Sequence, residues 1–293
     1  METILKGTGK TVTISPERLT VIIGERINPT GRKKLAAALV AGDLEYVRAE
    51  ALAQVAEGAH VIDVNVGAAG VDEVDLLPKA VKVVAETVDV PICIDSSNAD
   101  AIAAALPVAP GRPIVNSVNG EERSLSRILP LIKQYGAAVI GLTMDESGIP
   151  NEASKRLEIA RKIVTRAEAL GIPRQDVIID CLALTMGADS KAGLLTLDTI
   201  KLVRAELGSN ITLGASNISF GLPEREQINA GFFAMAVMAG LNCPIVNPKK
   251  ARLPLAIADL ALGKDDYAAS YLKGYRTISK ILAAEAEKKA QQA

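Results

Sequence analysis

The 293-residue chain has no tryptophan, three phenylalanines, five tyrosines and a single histidine. With 3% aromatic but 49% hydrophobic residues, the core must be built from Ala, Val, Leu and Ile, as helices packed on a parallel sheet prefer. The three cysteines, Cys93, Cys181 and Cys243, are far apart and odd in number. That excludes a disulfide framework and reads as reduced thiols in a cytoplasmic protein. One histidine and no paired cysteines leave the usual zinc ligand set unfilled, so no metal is expected. A Ser-His-Asp or Cys-His set fails for the same reason. Neither sign of charge prevails: 33 Lys+Arg stand against 34 Asp+Glu. Wholesale binding to nucleic acid or anionic membranes is therefore excluded. No apolar run is long enough to span a bilayer, and Met1-Glu2-Thr3 opens a polar segment without the pattern of a secretory leader. No linker or composition shift divides residues 1–293, which are expected to form one domain.

What is present is a repeated unit. Short Val- and Ile-rich runs, apolar on both faces, recur at Leu19–Ile27, His60–Val66, Pro91–Asp95, Pro113–Ser117, Ala137–Leu142, Asp176–Cys181, Ile211–Gly214 and Pro244–Val246. Runs of that kind are buried parallel strands. Amphipathic helical segments fit between them: one after Asp43 stopped by Gly58, one over Leu157–Leu170 stopped by Gly171, and others at 73–87, 121–135, 196–207 and 224–239. Pro130 falls inside one of these. The first 18 residues alternate around Gly7-Thr8-Gly9 and read as a β-hairpin; residues 265–289 read as a charged helix. The spacing, about 32 residues per unit, predicts a single (β/α)8 barrel, with the hairpin at its bottom and the last helix outside.

Nearly every run ends on a polar residue: Glu25, Asp63 and Asn65, Asp95, Asn116, Asp145, Asp180, Asn217 and Asn247. Any one of these is explained as a helix cap or turn former. Together they are not, because a barrel brings all its strand ends to one mouth. Gly214–Pro223 is a glycine-flanked loop that lets backbone approach a ligand, and Asn217 within it offers a donor and an acceptor. His60 begins its strand and therefore faces the bottom. Gly7-Thr8-Gly9-Lys10-Thr11 has the ending of a phosphate-binding loop, but Ile4 stands where glycine is required and no helix follows.

Gly24-Glu25-Arg26-Ile27-Asn28-Pro29-Thr30-Gly31 and Asp63-Val64-Asn65-Val66-Gly67 resemble the pterin-binding methyltransferase family, which includes the methyltetrahydrofolate:corrinoid protein methyltransferases and the folate domain of cobalamin-dependent methionine synthase. Ile94–Asn98, Val115–Ser117, Gly141–Met144, Ile179-Asp180 and Ala215–Ser219 continue the match. The resemblance implies a pterin held by Asp95, Asn116 and Asp180, with Ser216, Ser219 and Arg225 also on the substrate. It puts Asn217 at the reactive N5, and Glu25, Asp63 and Asn65 behind these residues. It further implies tetrahydrofolate or 5-methyltetrahydrofolate as substrate, a corrinoid on a partner protein, and a homodimer. Dihydropteroate synthase shares the barrel and pocket, but its Ser-Arg-Lys-like late strand is replaced here by Ala215-Ser216-Asn217. Phe220, where an amide is expected, and Asn247-Pro248-Lys249-Lys250, in place of an acidic stretch, depart from the acetogen enzymes. A catalytically silent folate-binding barrel is the reading from a different class.

Overall fold

The computed structural model describes residues 1–292. The strands are β1 (Thr3–Lys6), β2 (Thr11–Ile14), β3 (Ile23–Ile27), β4 (Val61–Asn65), β5 (Ile92–Asp95), β6 (Ile114–Asn119), β7 (Ala138–Leu142), β8 (Val177–Asp180), β9 (Ile211–Thr212) and β10 (Ile245–Val246). The helices are α1 (Lys33–Val40), α2 (Glu45–Glu57), α3 (Glu73–Thr87), α4 (Ala99–Ala105), α5 (Glu122–Tyr135), α6 (Ala153–Ala169), α7 (Ala192–Leu207), α8 (Arg225–Ala239), α9 (Pro248–Ala261) and α10 (Ala269–Gln292). Strands β3 to β10 form one parallel sheet in the order β10-β3-β4-β5-β6-β7-β8-β9. The remaining gap is bridged where Ile245 N–H donates to Leu213 O at 2.8 Å and Gly214 pairs with Ile245. The eight-stranded α/β barrel expected from the repeat is thus the observed architecture.

Two apolar layers hold it. The inner one fills the barrel with Ile23, Val61, Cys93, Ile114, Ala138, Ile140, Ile178 and Cys243; Leu5 and Ile14 of the β1–β2 hairpin are its lower plug. The outer one packs alternate strand residues such as Ile62, Ile92, Val139 and Ile179 against the helices. The large size of both layers offsets the chain entropy, each buried Leu or Ile contributing about 1.5–3 kcal/mol.

The hairpin covers the bottom, where residues just before the strands grip it. Gly9 and Lys10 N–H donate to Asp89 O, and Lys6 and Arg112 exchange backbone bonds. Asn210 Nδ2 reaches Thr3 Oγ1 at 2.8 Å and Ile14 O at 3.1 Å. His60 lies at this end: its Nδ1 accepts from Ile22 N–H at 2.9 Å, and burial holds its pKa down at about 4. It is a neutral structural acceptor.

Several boundaries differ from the sequence expectation. The strand expected at Leu19–Ile27 pairs only from Ile23, and β9 is two residues long. Helix α2 starts at Glu45, whose N–H is accepted by Asp43 Oδ1 at 3.0 Å, and α7 begins at Ala192, four residues early. Helices α1, α4 and α9 were not foreseen. In α9 the reason is physical: Pro248 occupies its first turn, where proline costs no hydrogen bond, but Pro254 in its interior reads as a breaker.

Arg112 ties the bottom together. Its guanidinium donates to Ile4 O at 2.7 Å, Gly136 O at 2.9 Å and the buried Asp176 carboxylate. Arg112→Ala strands that carboxylate, and a loss of about 2–4 kcal/mol is expected in chemical denaturation. Equal denaturation midpoints for variant and parent would show that the hairpin is not held this way.

Candidate functional site

The first site element is a bulge in β3. Gln54 of α2 is fully buried, and its Oε1 accepts the Arg26 N–H at 2.8 Å. A Cβ on Gly24 would lie 2.5 Å from that oxygen, so any larger residue would push Gln54 off the Arg26 N–H. The pairing of β3 with β4 shifts register between Gly24 and Ile27. Between them stands Glu25, whose carboxylate takes a backbone N–H from Asn247. Burial pushes it up to about 7, although Arg26, Arg225 and Lys250 pull it down.

The second element is a row across three strands. Asn65, Asp95 and Asn116 are register partners on β4, β5 and β6. Asn65 Nδ2 donates to Asp95 Oδ2 at 2.9 Å while its Oδ1 accepts from Gly67 N–H at 2.8 Å. Asn116 Nδ2 reaches Asp63 Oδ1 at 3.3 Å. Asp63 lies one step deeper, nearly without exposure, and is bonded to both Cys93 and Asp95. Burial, reinforced by the Asp95 charge, pushes Asp63 well above the usual carboxylate range, so it holds a proton between the two acids. Burial lifts Asp95 to about 6, with Glu73 adding repulsion. Glu73, not foreseen, accepts from Ser96 Oγ at 2.6 Å at the start of α3.

The third element joins β8 to the loop after β9. Asp180 is buried and lifted to about 6 by that burial. Its carboxylate accepts from Leu182 N–H at 2.7 Å and from Gly214 N–H, and Arg156 pulls it back. Gly214 O in turn accepts from Asn217 N–H at 3.1 Å, so the turn that carries Asn217 starts at the residue that Asp180 grips. The Asn217 side chain is exposed and engages no hydrogen bond among the described residues. Ser216 and Ser219 stand differently. Ser219 is fully buried; its hydroxyl accepts from Arg225 Nε at 3.1 Å and donates to Ser216 O at 3.3 Å. Arg225 Nη2 also donates to Ser216 O at 2.8 Å, and its guanidinium lies 5.6 Å from the Phe220 ring centre. These two serines hold the arginine in place.

A cavity of about 640 Å³ opens beside Glu25, lined by Arg26, Ser216, Arg225, Asn229, Asn247 and Lys250 among others. Asn229 Oδ1 and Asn247 Oδ1 are buried there with no partner. Asp145, by contrast, closes a turn with Gly148 after β7 and takes no part. The mouth therefore combines buried carboxylates short of donors with free amide acceptors. Such a surface fits a flat ligand rich in N–H groups. No group of acids, histidines or cysteines among the described residues is placed to hold a metal.

The family model for pterin binding enzymes matches residues 24–247, from the glycine of the β3 bulge to the asparagine after β10. The chain belongs to the pterin-binding enzyme family. It is 30% identical over 266 residues to the methylcorrinoid:tetrahydrofolate methyltransferase of Eubacterium limosum, covering 87% of this chain and 96% of that protein. It is 32% identical over 243 residues to the methionine synthase of Mycobacterium tuberculosis, covering 78% of this chain but only 20% of that longer protein. Among solved structures it resembles Yersinia pestis dihydropteroate synthase in a sulfonamide drug complex, with TM-score 0.69 over 90% of this chain and 99% of the other at 17% identity. That likeness concerns the fold. In this pterin-binding barrel, Gln54, Glu73 and Asn247 complete the mouth, and of these only Asn247 announced itself, as a polar strand end.

Glu25 gives a test of the mouth's electrostatics that needs no ligand. Its folded pKa lies above the ordinary 4.5, so its stabilising neutral form is complete below pH 4.5 and lost as pH rises through about 7. Glu25→Gln should therefore gain roughly 1–3 kcal/mol on the parent at pH 8 and almost nothing at pH 4.5. A difference that does not change with pH in thermal melts would contradict the buried placement of this carboxylate.

Proposed function

We propose that the protein moves a methyl group between N5 of tetrahydrofolate and the cobalt of a corrinoid carried by a partner protein. The observation that carries this reading is the unengaged Asn217 amide, anchored through Gly214 to the buried Asp180 at the same mouth as the Asp95–Asn116 row. The Eubacterium limosum relative, matched over nearly its whole length, supports the chemistry. Its name favours the direction from methylcorrinoid to tetrahydrofolate.

The residues then divide the work. Asp95 and Asp180 accept from the pterin's ring N–H and amino groups, and such charge-assisted bonds are short and directional. Asn116 both gives and takes. Asn217 faces N5: its oxygen accepts the N5–H as N5 would take methyl from the corrinoid, whose cobalt keeps the bonding pair while the N5 proton passes to water, and in reverse N5 takes a proton from water as methyl leaves. A bond that strengthens only as charge changes at N5 lowers the barrier, whereas uniform binding does not. The glutamyl tail lies toward the Glu25 cavity, where Arg225, Lys250 and Arg26 meet carboxylates and the free Asn acceptors meet amide N–H.

The corrinoid supplies or takes the methyl group. The chain's one histidine is buried at the opposite end and cannot reach a cobalt at the mouth. A second cavity, about 600 Å³ and lined by Ser97, Ser117, Asn119, Leu142 and Met144, leaves the approach beside Asn116 open to a partner. A homodimer fits the same reading: the outward faces of α7, α8 and α9 expose Leu202, Met235, Met238, Ile257 and Leu260. No helix among the described residues is long and apolar enough to cross a membrane, and all three cysteines are buried and unbridged, in keeping with a cytoplasmic setting.

The test is single-turnover methyl transfer between methylated corrinoid and tetrahydrofolate, with folate affinity measured in parallel. Asn217→Ala should lower the saturated rate roughly 10²–10³-fold and change affinity little. Asp180→Ala should weaken affinity about tenfold or more. A wild-type protein that binds folate without turnover would favour the silent barrel. Condensation of a pterin pyrophosphate with p-aminobenzoate would favour the synthase.

A further inference from the structure

Arg156 heads the fully buried side chains of this protein. It projects from α6, and no carboxylate pairs with it among the described residues. Its donors go to backbone carbonyls instead. Nε donates to Pro150 O at 2.8 Å, and Nη1 donates to both Cys181 O and Leu182 O at 2.8 Å. Pro150 belongs to the loop before α6, whereas Cys181 and Leu182 follow Asp180 directly. Leu182 has φ of 57°, in the left-handed region that a leucine rarely adopts. The N–H of this same leucine donates to Asp180 Oδ1 at 2.7 Å, and Thr196 Oγ1 adds a second bond to its carbonyl at 3.3 Å.

Two costly features therefore stand within two residues of Asp180: a buried guanidinium without an anion in contact, and a non-glycine residue at positive φ. Such costs persist where the surroundings over-determine them, and they gather at working sites. We infer that Arg156 is a positioning residue, clamping the Cys181 and Leu182 carbonyls so that the turn they form aims the Asp180 carboxylate into the mouth. The inference rests on reading Asp180 as a substrate-binding carboxylate.

The charged and titratable groups that face Asp180 are Arg156 from α6, Cys181 beside it in the chain and Cys243 ahead of β10. Burial pushes both thiols up and leaves them neutral. The Leu182 and Gly214 N–H groups draw Asp180 down from where burial puts it, and Arg156, which holds the Leu182 end of that pair, adds the one positive charge. Removing it should raise the pKa of Asp180 further. The protonated fraction then grows near neutral pH, and binding suffers most there.

The experiment compares the parent with Arg156→Lys and Arg156→Gln. The Asp180 carboxyl is titrated by carbon NMR without substrate, and 5-methyltetrahydrofolate affinity is measured at pH 6.5 and 8.5. In Arg156→Gln the carboxyl titration should move up by about one unit, and affinity should fall about tenfold at pH 6.5 and less at pH 8.5. Arg156→Lys, which keeps the charge but not the three-way clamp, should restore the titration and only part of the affinity. A folded Arg156→Gln with the parent's Asp180 titration would overturn the inference. Should that variant not fold, Arg156→Lys carries the test: folate affinity below the parent's at both pH values is expected, and the parent's affinity at both would overturn the inference. If the parent binds no folate but the Asp180 titration still follows Arg156, the functional reading fails and the hold of Arg156 on Asp180 stands.

Discussion

The constraint on which the mouth depends is the burial of Asp63 and Asp180, with Asp95 half-buried between them and the ligand space, and no cation in hydrogen-bond contact among the described residues. An isolated carboxylate in such a place would cost several kcal/mol, so each must either keep a proton or collect donors. Asp63 does the first, sharing its proton with Asp95. Asp180 does the second, through the Leu182 and Gly214 N–H groups. Asn65, Asn116 and Cys93 exist in this arrangement as supports of that partial neutralisation. The loops that supply the donors are fixed by features a stable barrel would not otherwise need: the Gln54-held bulge, the left-handed Leu182 and the buried Arg156.

The two ends of the barrel differ in how completely their polar groups are paired. At the bottom, Asn242 Nδ2 donates to Asn210 Oδ1 at 2.8 Å, Asn242 Oδ1 takes Ile211 N–H at 2.9 Å, and Asn210 holds the hairpin. Those amides are satisfied and close the fold, although the Ser209 hydroxyl beside them is buried without a partner among the described residues. At the mouth, Asn229 Oδ1 and Asn247 Oδ1 are buried without partners, and Asn217 is free. Buried polar groups left open are rare enough in native proteins to demand an explanation, and a ligand is the economical one. Stability and function are thus assigned to opposite faces, as the fold class allows.

The architecture was legible because the strands are continuously apolar and regularly spaced, and because nearly every run stops at or just before a polar residue. The row Asn65–Asp95–Asn116 could be read from strand ends alone, since register in a barrel sets such residues side by side. What could not be read were contacts that cross the layers. Gln54 falls in line with Val47 and Ala51 on the buried stripe of α2, and Arg156 in line with Ile159, Ala160 and Ile163 on that of α6; helical spacing marks both positions as inward, but a polar side chain there does not show which backbone groups it serves. Ser219 belongs to the substrate-contacting set by resemblance alone; its bond to Arg225, made across the loop into α8, has no local signal in the sequence. Helix α9 stayed hidden because Pro248 and Pro254 mimic a loop.

The most direct measurement of the central claim is the proton count of folate binding. 5-Methyltetrahydrofolate is titrated calorimetrically into the protein at pH 6 in buffers of different ionisation enthalpy, and again at pH 8. If pterin N–H groups complete the donor sets of Asp95 and Asp180, both carboxylates, poised at about 6, become fully ionised on binding. The expected result is net proton release at pH 6, on the order of one proton, that fades by pH 8. Binding without proton release at pH 6, or with uptake, would contradict the claim that these buried acids receive the ligand.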